Sequence, residues 1–272
     1  MPAVELSRLA RQTEELADLL DAPAEFRRAC LDLLEGYADH TRRRGVWHPD
    51  EDVPWVLGVP RTVLRAVANA LAREVEGRSE SALGAAGALW ESGLREAQSL
   101  AAALVQTVPG EAAADWAQAR VESARDERAI ETLAGPALMG WRRQEPDAFL
   151  GRLDRWLTSD APRRRALAFR AIEAALEDPG FEPTPRAFDL LGGRSLERPG
   201  EEGRAMMAAW RSAIARSPAE AAQTLLEEAA AGGEPARRLI SRNLEAFPER
   251  QRARLQRALL EAPPPGIISP QE

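Results

Sequence analysis

Residues 146–176 read PDAFLGRLDRWLTSDAPRRRALAFRAIEAAL, two helix-period patterns, each opened by a proline, Pro146 and Pro162. Proline suits the first turn of a helix and breaks its interior, so a proline that opens an apolar periodic run marks a helix start. The same punctuation recurs along the second half of the chain. One series is Pro109, Pro146, Pro183 and Pro218, at separations of 37, 37 and 35; a second, Pro162, Pro199 and Pro235, interleaves with it at 37 and 36. Further patterns, PAEAAQTLLEEAA and PARRLISRNLEAF, follow Pro218 and Pro235. Ser217-Pro-Ala-Glu220 has the form of a capping box, and Thr184 precedes Pro185 as a candidate N-cap. A two-helix unit repeated every ~36 residues is the mark of an α-solenoid. The Trp/Gly/Tyr pattern of tetratricopeptide repeats and the TPLH-type turn of ankyrin repeats are absent, which leaves a HEAT-like solenoid of antiparallel helix pairs as the expected fold.

Composition agrees. The chain has 272 residues, 44% of them hydrophobic and 5% aromatic. Ala, Leu, Glu and Arg dominate, all good helix formers, and β-branched residues are sparse. The expected class is all-α, with one solenoid over 1–261 and a flexible tail, residues 262–272, rich in proline. Its one cysteine, Cys30, sits in the apolar helical context FRRACLDLL, so no disulfide can form within the chain. No run approaches the ~18 apolar residues of a membrane span. The N-terminus MPAVELSRLARQTEEL mixes acids and bases and is not a signal peptide. A cytoplasmic, monomeric protein without a cofactor is expected.

The first half is less regular. Helices are expected near residues 4–20, 24–44, 60–76, 80–90 and 94–107. LWESGLREAQSLAAALV, residues 89–105, reads as the corner of a helical hairpin, with Ser92 as N-cap of its second helix. RGVWHPDEDVPWVLGVP, residues 44–60, is a long connection whose Trp47 and Trp55 are expected to pack a loop against the helices. His40 and His48 are the only histidines and lack the spacing of metal ligands. No nucleophile–histidine constellation, P-loop or dinucleotide fingerprint is present.

All 36 basic residues are arginine, and the net charge of −7 argues against an overall basic nucleic-acid binder. Charge nevertheless sorts by helix. The first-helix segments 111–124, 146–160 and 218–233 carry −2, −1 and −3, whereas the second-helix segments 161–177, 200–217 and 234–247 carry +2, +1 and +1, and 248–261 adds +2. The basic set is Arg163, Arg164, Arg165, Arg170, Arg204, Arg211, Arg237, Arg238, Arg242, Arg250, Arg252 and Arg254. A basic inner face on an acidic protein suits a phosphate backbone, with an acidic protein partner as the alternative.

Three motifs occur in order: VLGVPRTVLRAVANAL, then LWESGLREAQSLAAALV, then RWLTSDAPRRRALAF. Together they resemble the AlkD-like family of DNA alkylation repair proteins, HEAT-like alkylpurine glycosylases. The resemblance covers residues 25–260. It implies a solenoid cradling duplex DNA, aromatic residues against the DNA backbone, an acid that stabilises the cationic sugar, and an arginine on the next repeat gripping phosphate. In ARDERAIETLAGPALMGW the acid falls at Glu131, and four residues earlier stands Glu127 rather than an aromatic. The later aromatic falls at Ala208, with Trp210 two residues on. The phosphate-gripping arginine corresponds to Arg165, with Arg163 and Arg164 beside it. The expectation is therefore a protein that binds duplex or damaged DNA through Arg163, Arg164, Arg165, Arg204, Arg211, Arg237, Arg238 and Arg242, without efficient base excision. The alternatives are an active alkylpurine glycosylase using Glu131 and Arg165, or a helical scaffold for an acidic protein.

Overall fold

The computed structural model describes residues 6–39, 56–194, 200–231 and 233–261, and among these the chain is all-helical, with no strand. It divides into two compact units, Met1–Phe149 and Leu150–Glu272. His40, His48, Trp47, Trp55, Pro199 and the tail lie outside the described residues.

The first unit contains α1 (Leu6–Ala17), α2 (Pro23–Gly36), α3 (Arg61–Glu74), α4 (Ser79–Trp90), α5 (Arg95–Val105), α6 (Gly110–Val121) and α7 (Glu127–Thr132). A π turn over Leu133–Ala137 and α8 (Met139–Gln144) follow. Helices pack on the next but one: α1 on α3, α3 on α5, α5 on α7 and the π turn, α2 on α4, α6 on α8. This alternation arises because each hairpin buries one stripe per helix and must stack on the next hairpin to cover it. In α3 the stripe is Val63, Val67 and Leu71, all at most 1% exposed. The core is small-residue rich. Ala85, Ala86, Ala97, Ala101, Ala102 and Ala114 are buried alongside Leu89, Leu100 and Leu104, so helices approach closely without many large side chains.

The α4–α5 corner is built differently from the expectation. Leu94 occupies the N-cap position of α5, and Ser92 stands in the turn before it. The Ser92 hydroxyl donates to the Leu89 carbonyl at 2.6 Å and accepts from the Leu94 N–H at 3.3 Å, closing the end of α4 instead of capping α5. Gly93 makes the reversal at φ +68°, a conformation other residues adopt only with strain. Trp90 packs edge-to-face on Trp116 of α6, with ring centroids 5.6 Å apart, and the Arg120 guanidinium lies 4.4 Å over the Trp116 ring. The tryptophan at the corner thus welds consecutive hairpins. Helix α2 is shorter than expected: it ends at Gly36, and the Asp39 N–H bonds the Leu57 carbonyl at 3.2 Å, so the backbone has already left the helix.

The division between units falls inside α9 (Pro146–Leu157). The second unit continues with α10 (Pro162–Glu177), α11 (Thr184–Leu191), α12 (Gly200–Arg216), α13 (Pro218–Ala230), α14 (Glu234–Asn243), a 3₁₀ turn over Leu244–Ala246, and α15 (Glu249–Glu261). The proline register places helix starts correctly. Pro146, Pro162 and Pro218 are first residues, Pro109 and Pro183 stand immediately before α6 and α11, and Pro235 is the second residue of α14. Caps were read less well. Ser217 occupies the N-cap of α13 without a capping hydrogen bond from its side chain, and Thr184 lies inside α11, its hydroxyl donating back to the Phe181 carbonyl. Helix α10 packs along α12, and α13 touches α11, α12, α14 and α15. Trp210, 0% exposed, belongs to this core.

Candidate nucleic-acid interface

The motif residues of the sequence turn out to be joints. Glu96, on α5, is 5% exposed, and its Oε1 accepts the N–H groups of Leu57, Gly58 and Val59 at 2.9, 2.8 and 3.4 Å. A carboxylate taking several backbone N–H groups is a strong, charge-assisted latch. It fixes the strip that leads into α3, so two parts of the sequence pattern, Leu-Gly-Val and Arg-Glu, are one contact. In the second unit Ser159 plays a comparable part. Its carbonyl accepts from Arg165 Nη1 at 2.6 Å and its hydroxyl from Arg164 Nη1 at 3.3 Å.

Arg165 is the most engaged of the predicted phosphate contacts. Its Nε and Nη2 both donate to Glu202, at 2.7 Å each, in a fork-to-fork pair whose side chains are 16% and 6% exposed. The Glu202 hydrogen bond holds the guanidinium charge even more firmly than usual. Three of its five N–H groups are spent, and its charge is neutralised at contact distance. Arg163 lies 3.7 Å from Glu201, and Arg238 3.3 Å from Glu234. Arg237 donates weakly to the Ala229 carbonyl at 3.4 Å, and Arg170 pairs with Glu173 at 2.6 Å. Arg204, Arg211 and Arg242 are exposed. Of the eight predicted DNA contacts, Arg211 alone has neither a hydrogen bond nor an ion pair among the described residues.

The charge segments, which begin at residue 111, did not reach the clearest cations without partners among the described residues. Helix α3 presents Arg61, Arg65, Asn69 and Arg73 at four-residue spacing, all exposed, opposite its buried Val63–Val67–Leu71 stripe. None of the three arginines has an ion pair or side-chain hydrogen bond among the described residues. The signal was present in VPRTVLRAVANALARE as a four-residue arginine period with a single acid at its end.

Glu131 is exposed and lines a cleft of about 240 Å³ between α5 and α7. Its other walls are Arg95, Gln98 and Ser99 of α5, Arg128, Ala129 and Thr132 of α7, and Pro136 of the π turn. Asp126 sets the geometry of the cleft: one oxygen caps α7 through the Ala129 N–H at 2.8 Å, and the other takes Arg95 Nη2 at 2.9 Å. Glu127 is half-buried at the start of α7, and Ala208 half-buried on α12, at the two positions where the resemblance calls for aromatics. No group of three or more His, Cys, Asp or Glu able to hold a metal occurs among the described residues, and no described helix is long and apolar enough to cross a membrane.

Stacked amphipathic helix pairs, an arginine stripe without partners among the described residues, and a small polar cleft with an exposed carboxylate define an all-helical protein. The chain belongs to the DNA alkylation repair enzyme family, whose model matches residues 31–189. That span contains the α3 arginines, the cleft and Arg163, Arg164 and Arg165, and it ends before Arg204, Arg211, Arg237, Arg238 and Arg242. No curated protein and no solved structure matches the chain.

Proposed function

We propose that this protein binds duplex DNA, including damaged DNA, through phosphate contacts, as a diverged AlkD-like member of its family that does not excise bases efficiently. The observation that carries the reading is the Arg61–Arg65–Arg73 stripe, without partners among the described residues, inside the family-matched span. Next-but-one packing inside each unit, α1 on α3 and α3 on α5 in the first and α10 on α12 and α11 on α13 in the second, supports HEAT-like stacking. In the second unit the proposed contacts are Arg163, Arg164, Arg204, Arg211, Arg237, Arg238 and Arg242. Arg165 contributes through its two uncommitted N–H groups and little through net charge, because Glu202 cancels it. The lack of excision follows from the missing aromatic walls: Glu127 and Ala208 can neither exclude water from a scissile bond nor stack against the backbone.

The test is a salt titration of duplex binding by fluorescence anisotropy. Each phosphate neutralised adds about −0.9 to the log–log slope. Replacing Arg61, Arg65 and Arg73 together with alanine is expected to flatten the slope by roughly 2–3. Binding that is insensitive to salt, or an unchanged slope in the triple variant, refutes the reading and favours an acidic protein partner. A second reading, an active glycosylase, is favoured by the exposed Glu131 carboxylate on the cleft wall. Release of 7-methylguanine or 3-methyladenine above the no-protein rate that disappears in Glu131→Gln would establish it; background release in both proteins supports binding alone.

A further inference from the structure

Gln98 stands apart among the cleft residues. It is 6% exposed, it lines the cleft, and its amide has no hydrogen-bond partner among the described residues. With no described residue using it, the amide offers its donor and its acceptor to whatever enters the cleft, the arrangement by which a few convergent polar groups orient a ligand. The neighbouring hydroxyls do not compete for it. Ser99 Oγ donates to the Arg95 carbonyl at 3.0 Å and Thr132 Oγ1 to the Arg128 carbonyl at 2.8 Å, each turned back onto its own helix. Arg95 is tied to Asp126. Two groups therefore stay available: the Gln98 amide within the cleft and the Arg128 guanidinium at its edge, which is exposed and has no partner among the described residues.

The chemistry of these two groups names a ligand. A primary amide presents a donor and an acceptor side by side in one plane, the complement of the donor–acceptor edge of a nucleobase such as adenine. A guanidinium at the mouth suits a phosphate. The Ala129 methyl and the Pro136 ring supply apolar surface for a flat ring. The volume, about 240 Å³, falls below the roughly 300–1,000 Å³ of pockets for drug-sized ligands and suits one base rather than a pair. The wall that carries Thr132 and Pro136 passes through the π turn, an insertion that recurs at functional sites in helical proteins.

We propose that the α5–α7 cleft seats a single unstacked nucleotide of bound DNA, its base edge on the Gln98 amide and its phosphate on Arg128. The proposal rests on the DNA-binding reading above and adds base recognition to it.

The test compares three labelled duplexes: one fully paired, one with a single bulged adenine, and one with an abasic analogue at the bulge. The native protein is expected to bind the bulged-adenine duplex about tenfold more tightly than the abasic bulge, the scale of one good amide–base pair. Gln98→Leu, which keeps the volume, is expected to erase that difference while leaving abasic-bulge affinity unchanged. Gln98→Ala takes its place if the leucine variant loses its helical circular dichroism. Arg128→Ala is expected to weaken both bulged duplexes by the same factor and to flatten their salt slope by about 0.9. Equal affinity of the native protein for the two bulges, or a preference that survives in the Gln98 variants, overturns the proposal and leaves DNA binding standing. Failure to bind any of the three duplexes overturns both.

Discussion

Replacing Glu202 with alanine is expected to cost the second unit about 3 kcal/mol of stability. Both Glu202 oxygens accept from Arg165 at 2.7 Å, and the two side chains are only 6% and 16% exposed. Truncation leaves a largely buried guanidinium with the Ser159 carbonyl as its remaining hydrogen-bond partner and Asp160 as a nearby opposite charge. Breaking a buried pair from one side costs about 3–5 kcal/mol, and the residual exposure of Arg165 places this case at the lower end. At about 2–4 °C per kcal/mol for a chain of this size, the melting temperature should fall by roughly 6–12 °C. The double variant Arg165→Met/Glu202→Leu should recover to within about 1 kcal/mol of the native protein, because an apolar pair of similar volume removes both charges at once. Urea unfolding followed by circular dichroism measures these variants together with the single variants Arg165→Met and Glu202→Leu, and the double-mutant cycle should give a coupling of at least about 2 kcal/mol. Additive single effects, or a Glu202→Ala cost below about 1 kcal/mol, would refute the argument that Arg165 is first a structural cation. The DNA salt slope supplies the complement: if Glu202 cancels the arginine's charge, Arg165→Met alters it far less than the α3 triple variant does.

Burial pushes the Cys30 thiol up to about 12, so a thiol reagent at pH 8 should label it only after denaturation, and stability should decline as pH rises past 9, where the unfolded thiol ionises and the folded one does not. Asp21 is held below its ordinary carboxylate value by the Ser81 hydroxyl at 2.6 Å and then by Arg78 at 2.7 Å. Its contribution is present above its ordinary carboxylate value and lost as pH falls through its lower folded value, so the melting-temperature gap between the native protein and Asp21→Asn should shrink as pH falls below about 4. A Cβ added at Gly110 would fall inside the Trp141 ring, which is 2% exposed and packs edge-to-face on Phe149. Gly110→Ala should therefore destabilise the first unit by about 1–3 kcal/mol, read as a lower unfolding midpoint.

Helix existence and spacing were legible because proline acts locally: its fixed φ and missing N–H declare a helix start with no help from the rest of the chain. Caps were not, because a hydroxyl can turn toward either side of a turn. Ser92 closes the helix behind it, and Ser217 makes no capping bond at all. Charge was legible only as a sum. Segment totals gave Arg165 and Arg211 equal weight, yet one is locked to an acid 37 residues away and the other is unpaired among the described residues. The α3 arginines escaped for a different reason: the segment totals began at residue 111, beyond α3. Gln98 carried no sequence signal, because only the fold shows that an amide in a bland Ala/Leu helix lines a cleft.

The Glu96 latch holds main-chain N–H groups and no side chain of residues 57–59. It is therefore indifferent to what those side chains are, provided the backbone keeps its path. A saturation library across this region should show a sharp asymmetry. Position 96 should reject nearly every exchange, while positions 57 and 59 should accept a range of apolar residues. The entry to the arginine-bearing α3 can drift in spelling for as long as one distant carboxylate stays put.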